Sequence, residues 1–181
     1  MPAKRSAGLL LHRRGSSELE VLLVHPGGPF WRNKDRGAWQ IPKGLIETGE
    51  DDERAARREA SEELGFEIEV PLIPLGEVRQ AGGKVVVAFA AEQDVDPRAV
   101  RSNTVEIEWP PRSNKRITIP EIDEARWFSV EDAGAFMLPS QMPLLARLVE
   151  QQLSGPPSLG RSEPVAVSQR TKDIGMGPNG C

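Results

Sequence analysis

Apolar residues along this chain fall in short runs separated by turn-forming residues, which is the spacing of strands more than of a helical bundle. Residues 6–13 (SAGLLLHR) and 19–25 (LEVLLVH) are two such runs. Arg14, Gly15, Ser16 and Ser17 part them, predicting two strands joined by a turn. Residues 26–37 (PGGPFWRNKDRG) are rich in Gly and Pro and predict a long loop, followed by a brief strand over 39–41. The pattern then turns helical, starting between Thr48 and Asp51 and ending at Leu64, with Gly65 as the cap residue beyond it. Asp51, Asp52 and Glu53 near its start suit the positive end of the helix dipole. Residues 66–70, 74–79 and 84–91 predict strands, and the last (KVVVAFAA) is apolar enough for a central place in a sheet. Farther on, 104–109 (TVEIEW) alternates like a strand, PPRSNK is a turn-rich excursion, and 125–128 predicts a final strand. The segments 130–137 and 139–153 predict helices, the second with an apolar face of Leu144, Leu145, Leu148 and Val149. From Ser154 onward Gly, Pro and Ser with scattered charges predict a flexible tail. The expectation is one α/β layered domain over 1–153 and a tail over 154–181.

Composition narrows this picture. A chain of 181 residues with 38% apolar and 28% charged side chains has the makings of one globular domain with a sizeable core. The net charge of −4 argues against general nucleic-acid binding through a basic surface, though not against a small phosphorylated ligand. The single cysteine, Cys181, rules out an internal disulfide and suits a reducing compartment. No apolar stretch reaches membrane-spanning length, and the run after Lys4 and Arg5 is too short for a signal peptide, so the expected location is cytoplasmic.

The predicted helix carries the chemistry. Successive helical positions advance by about 100°, so Glu59, Glu62 and Glu63 share one narrow sector. Ala56, Ala60 and Leu64 form a thin stripe beside it, small enough to bring the glutamates close to a sheet. Glu59 and Glu63 repel each other at i, i+4, and Glu62 and Glu63 lie in the last turn, where the dipole disfavours negative charge. Two local rules broken in one place mark a functional site, and a hard divalent cation reverses both penalties. A solvated face balanced by Arg54, Arg57 and Arg58 is the plainer reading of such a charge run.

The full spacing decides between them. Gly44, Glu50, Arg58, Glu59, Glu62, Glu63 and Gly65, read through Phe66, match every charged and glycine position of the box that defines the Nudix hydrolases. Seven fixed positions at about 7% each coincide by chance in roughly one chain in a million. Ala60 departs from the box, which usually has a larger aliphatic residue there. The chain therefore resembles a Nudix domain over about residues 5–153. That resemblance implies an α/β/α sandwich with a mixed sheet, and hydrolysis of a nucleoside diphosphate linked to another group, with Mg²⁺ or Mn²⁺. It implies that Glu59, Glu62 and Glu63 hold metal, with backbone carbonyls near Lys43 and Gly44 completing the coordination. It also implies that Arg58 orients Glu59 and that Glu50 assists at a second metal or the water. Glu121, or less strongly Glu124, is the candidate for the additional glutamate found outside the box.

Substrate preference is less legible. The loop before the box offers Phe30 or Trp31 to stack on a base, and Arg32, Lys34 or Lys43 to meet phosphates. The same aromatics equally suit anchoring the loop to the core, and Trp109 suits packing more than stacking. Pro71 and Pro74 come too early for the proline of ADP-ribose-specific subgroups, and the chain has no tyrosine of the kind found beyond the box in dinucleoside polyphosphate hydrolases. The run Trp39-x-x-Pro42-Lys43-Gly44 does resemble the entry to the box in hydrolases of dinucleoside and diphosphoinositol polyphosphates. His12 and His25 have no ligand-like spacing and read as structural. The expected partner is a small phosphorylated substrate, with the chain a monomer or homodimer. The competing expectation is a non-catalytic Nudix-fold module that senses a nucleotide, and such modules usually lose box glutamates. Removal of a 5′ pyrophosphate from RNA is a third, which favours a basic face.

Overall fold

The computed structural model describes residues 4–155. The strands are β1 (Arg5–Arg14), β2 (Leu19–Pro26), β3 (Lys43–Leu45), β4 (Leu72–Arg79), β5 (Val85–Glu92), β6 (Thr104–Glu108), β7 (Arg116–Pro120) and β8 (Ile122–Ser129). The α-helices are α1 (Asp52–Leu64), α2 (Val130–Phe136) and α3 (Met142–Ser154). The main sheet runs β4-β5-β1-β2-β8, with β3 added against β1. It is mixed: β1 and β5 are parallel, and the other pairs are antiparallel.

Both faces of this sheet are covered, which explains why β1, β2 and β5 are continuous apolar runs instead of alternating ones. On β1, Leu9 and Leu11 turn to one side and meet Ala55, Ala56, Ala60 and Leu64 of α1. Leu10 turns to the other and joins Val21, Leu23, Trp39 and Phe128 with Leu144, Leu145 and Leu148 of α3. The result is the expected α/β/α sandwich. Truncating a side chain such as Leu10 to alanine would cost about 2–5 kcal/mol, because neither layer can collapse into the void.

Helix α1 follows its local signals closely. Asp51 is the N-cap, its carboxylate accepting from the Arg54 N–H, and Gly65 caps the other end in the left-handed region at φ 83°. Added bulk at Gly65 would also run into the Arg101 carbonyl 2.8 Å away.

Several expected elements differ. Residues 66–70 are not a strand: Ile68 is buried against α1, and Arg57 Nη1 donates to the carbonyls of Ile68 and Val70 at 2.6 and 3.0 Å. A guanidinium thus takes the acceptors a neighbouring strand would have used. Residues 39–41 make only isolated bridges, Gln40 to Val24 and Trp39 to Met137, while the strand forms three residues later as β3. The excursion after 109 returns as β7, which pairs with β6 in a separate two-stranded arm. The third helical segment begins at Met142, after a single 3-10 turn over Pro139–Gln141. Of the tail predicted over 154–181, Ser154 ends α3, and everything from residue 156 on lies outside the described residues.

Candidate active site

Packing α1 against β1 brings its carboxylates to the β3 backbone. Glu63 Oε2 accepts from the Lys43 N–H at 3.0 Å. Glu59 lies directly against Gly44, where any side chain would occupy the position of its carboxylate. Gly44 is therefore required by close approach, and its neighbours Lys43 and Leu45 pair with β1 across Gly8 and Ser6.

Arg58 ties the box together. Its Nε and Nη2 donate to both oxygens of Glu50 at 2.9 and 2.8 Å, a two-point pair. Its Nη1 donates to Glu59 Oε1 at 2.8 Å, and its Nη2 also reaches the Leu45 carbonyl at 3.0 Å. Glu62 is more exposed and sits 3.6 Å from Arg58 Nη1. The Arg58 hydrogen bonds, with one from the Glu47 N–H, hold the Glu50 carboxyl down to about 2. Glu50, and after it Glu59, push the Arg58 guanidinium up.

The remaining carboxylates are strained electrostatically. Burial pushes Glu63 up to about 8, with Glu121 and Glu59 adding repulsion and Lys43 opposing it. Glu59 and Glu121 are also pushed up, in each case mainly by burial. Lys43 is pulled below the usual lysine range by burial, and Lys84 adds like-charge repulsion. Carboxylates crowded together with their charge uncompensated make a receptive site for a cation.

A cavity of about 610 Å³ opens beside this cluster. Glu63, Glu121 and Lys43 line one part of its wall, and Trp31, Gln40, Leu138 and Ser140 line others. Of the residues expected to meet substrate, Trp31 and Lys43 do line it. Arg32 and Lys34 instead line a neighbouring cleft with His25, Trp39 and Asp123. Phe30 is 57% exposed, with Lys34 Nζ 3.2 Å from its ring centre, and Trp109 ends the β6–β7 arm without lining the cavity. Glu121 and Glu124 separate cleanly: Glu121 faces the cavity, while Glu124 accepts from Arg126 at 2.7 Å and lines the cleft.

Lys84 and Gln80, from the turn between β4 and β5, also line the cavity. No local pattern marks them, since only sheet register carries that turn to the box.

The donor set suits a hard divalent cation. It is all oxygen: Glu59, Glu62 and Glu63, with the Lys43–Gly44 backbone alongside. Among the described residues no three His, Cys, Asp or Glu side chains converge closely enough to hold a metal ion by themselves.

Comparison with known proteins agrees with this geometry. The NUDIX domain family model matches residues 2–151. A protein described as an octanoyltransferase from Myxococcus xanthus is 32% identical over 133 residues, covering 73% of this chain and 32% of its own length. An RNA pyrophosphohydrolase from Caulobacter vibrioides is 41% identical over 59 residues, 30% of this chain and 34% of that protein. The chain thus spans about a third of the length of these curated relatives. Among solved structures, a C. elegans Ap4A hydrolase binary complex superposes with a TM-score of 0.59 at 22% identity, covering 84% of this chain and 100% of that one. With the family model spanning nearly all the described residues, and the box folded as a loop, a capped acidic helix and a glycine turn, this chain belongs to the NUDIX family.

Proposed function

We propose that the chain is a divalent-cation-dependent pyrophosphohydrolase that cleaves a phosphoanhydride in a nucleoside diphosphate linked to another group. The observation that carries this reading is the seating of Glu59 and Glu63 against the Lys43–Gly44 backbone at the wall of the cavity. Relatives whose printed names are RNA pyrophosphohydrolase and Ap4A hydrolase support the reaction type.

Glu59, Glu62 and Glu63 would hold Mg²⁺ or Mn²⁺, with carbonyl oxygen from the Lys43–Gly44 backbone. The bound cation supplies charge neutralisation at the phosphates and activation of water. Phosphoryl transfer asks the protein chiefly for alignment and electrostatic balance. Arg58, held at two points by Glu50, fixes the Glu59 carboxylate, so Glu50 acts through Arg58. Glu121, between β7 and β8, lines the cavity and would take the proton of the attacking water. Lys43, joined by Lys84, meets phosphate oxygens, and Trp31 offers a flat apolar surface to the group beyond them. Retention of all the box glutamates favours turnover over nucleotide sensing alone.

The test is a panel of nucleoside triphosphates, dinucleoside polyphosphates, nucleotide sugars and a 5′-triphosphorylated oligonucleotide, assayed with Mg²⁺ or Mn²⁺ and with excess chelator. Release of phosphate-containing products from at least one compound, abolished by chelator, is the expected result. No release across the panel, or release indifferent to chelator, refutes the reading.

A further inference from the structure

His25 stands on β2 between Val24 and Pro26, both of which line the cavity, while its own ring turns to the neighbouring cleft. The residue is buried, 7% exposed, and packs edge-on against Trp39 with ring centres 5.3 Å apart. Its Nδ1 lies 2.8 Å from Asp123 Oδ1 of β8, and its Nε2 lies 2.6 Å from the Lys34 carbonyl oxygen of the loop. Both partners are acceptors. The ring is thus held at both nitrogens, between β8 on one side and the loop on the other. Arg32, Lys34 and Asp35 of the loop, and Glu124 and Arg126 of β8, are the other charged groups lining this cleft.

The Lys34 carbonyl is a telling place to hold. The Lys34 N–H donates to the Trp31 carbonyl at 2.8 Å, and the Trp31 and Arg32 N–H groups turn back to the Gly28 carbonyl at 3.3 and 3.2 Å. Trp31 therefore sits in one compact turn whose far end is tied to His25. Asp35, next along, accepts from the Trp39 indole at 2.9 Å. Asp123 in turn is two residues from Glu121, which lines the cavity.

We propose that His25, paired with Asp123, is a positioning residue that clasps the loop from 28 to 38 so that Trp31 faces the cavity. It thereby sets the affinity for the group that Trp31 meets. This rests on the reading of the cavity as the substrate site, but the clasp itself is testable without any substrate. The ring never touches the cavity, so its influence runs through the loop.

The experiment uses the full chain and the variants His25→Gln, Asp123→Asn and Trp31→Ala. Gln at 25 keeps an amide donor of similar volume that cannot serve two acceptors on opposite sides. Hydrogen exchange of amides 28–38 is expected to quicken about tenfold in His25→Gln, the equivalent of about one hydrogen bond, with α1 and β5 exchanging as in the wild type. Unchanged exchange across the loop overturns the clasp whether or not any nucleotide is hydrolysed. With a nucleotide that is turned over, KM should rise about tenfold in His25→Gln while kcat stays within about twofold. The double variant with Trp31→Ala should be no worse than Trp31→Ala alone. Additive effects, or a fall in kcat with KM unchanged, overturn the positioning role. If His25→Gln does not fold, Asp123→Asn, altered at a side chain 41% exposed, carries the same comparison with smaller shifts.

Discussion

Replacing Arg58 by methionine keeps the aliphatic stem and removes the guanidinium that organises the box. Three carboxylate contacts vanish at once: two to Glu50 at 2.9 and 2.8 Å and one to Glu59 at 2.8 Å. The side chains involved are 27%, 13% and 15% exposed, so solvent screens them only partly. Hydrogen bonds to charged groups are each worth about 1.5–3 kcal/mol when half-buried. Relaxation and water entry recover part of that, because the cluster is only part-buried. A loss of about 3 kcal/mol in unfolding free energy is expected, read from urea denaturation at pH 7. The two-point contact further predicts that a double-mutant cycle couples Arg58 more strongly to Glu50→Gln than to Glu59→Gln. A loss under about 1 kcal/mol, or coupling stronger to Glu59, would refute the view that Glu50 works by holding Arg58.

Three other predictions read different parts of the structure. Gly44→Ala should leave circular dichroism unchanged yet cut kcat about a hundredfold, because the new methyl displaces the Glu59 carboxylate; full activity would remove the close-approach argument. Because burial pushes Glu63 up to about 8, a cation entering below that pH must displace a proton. Calorimetric Mn²⁺ affinity should therefore climb by up to about tenfold per pH unit and level off near pH 8, with proton release into buffer, and a flat profile without release contradicts it. His12 is 1% exposed, neither ring nitrogen has a partner among the described residues, and burial lowers its pKa from 6.5. Its folded pKa lies below its unfolded value, so stability is lost as pH falls below about 6.5. His12→Leu should flatten that part of the stability–pH curve, and an unchanged slope there would disprove the attribution.

Local signals explain what the sequence made legible. Helix α1 was readable to within a residue because its cap Asp51, its Ala stripe and its terminal Gly65 are all near neighbours in the chain. The clustering of the box glutamates followed from the same periodicity. What was hidden depends on register. Strand β3 is only Lys43-Gly44-Leu45, with no apolar alternation to reveal it, and exists because β1 pairs with it. Residues 66–70 have strand-like composition, yet Arg57 reaches across from α1 and takes their carbonyls. Lys84 and Gln80 reach the cavity through the pairing of β4 with β5, which no short window encodes. Arg32 and Lys34 looked like cavity residues by their place in the loop, but the turn from Gly28 to Lys34 directs Trp31 there and sends them to the adjoining cleft. The two histidines have no pattern in sequence, and only the fold shows that His25 bridges the loop and β8 while His12 is sealed without a partner.

The central claim is that the α1 carboxylates seated on the Lys43–Gly44 backbone carry out metal-dependent cleavage of a phosphoanhydride. Its most direct test is kcat of Glu63→Gln against wild type, on one hydrolysed nucleotide at saturating Mg²⁺, with folding verified by circular dichroism. A fall of about a hundredfold or more in a folded variant is predicted, since the amide keeps the shape of the side chain and removes its charge. Turnover equal to wild type would contradict the account.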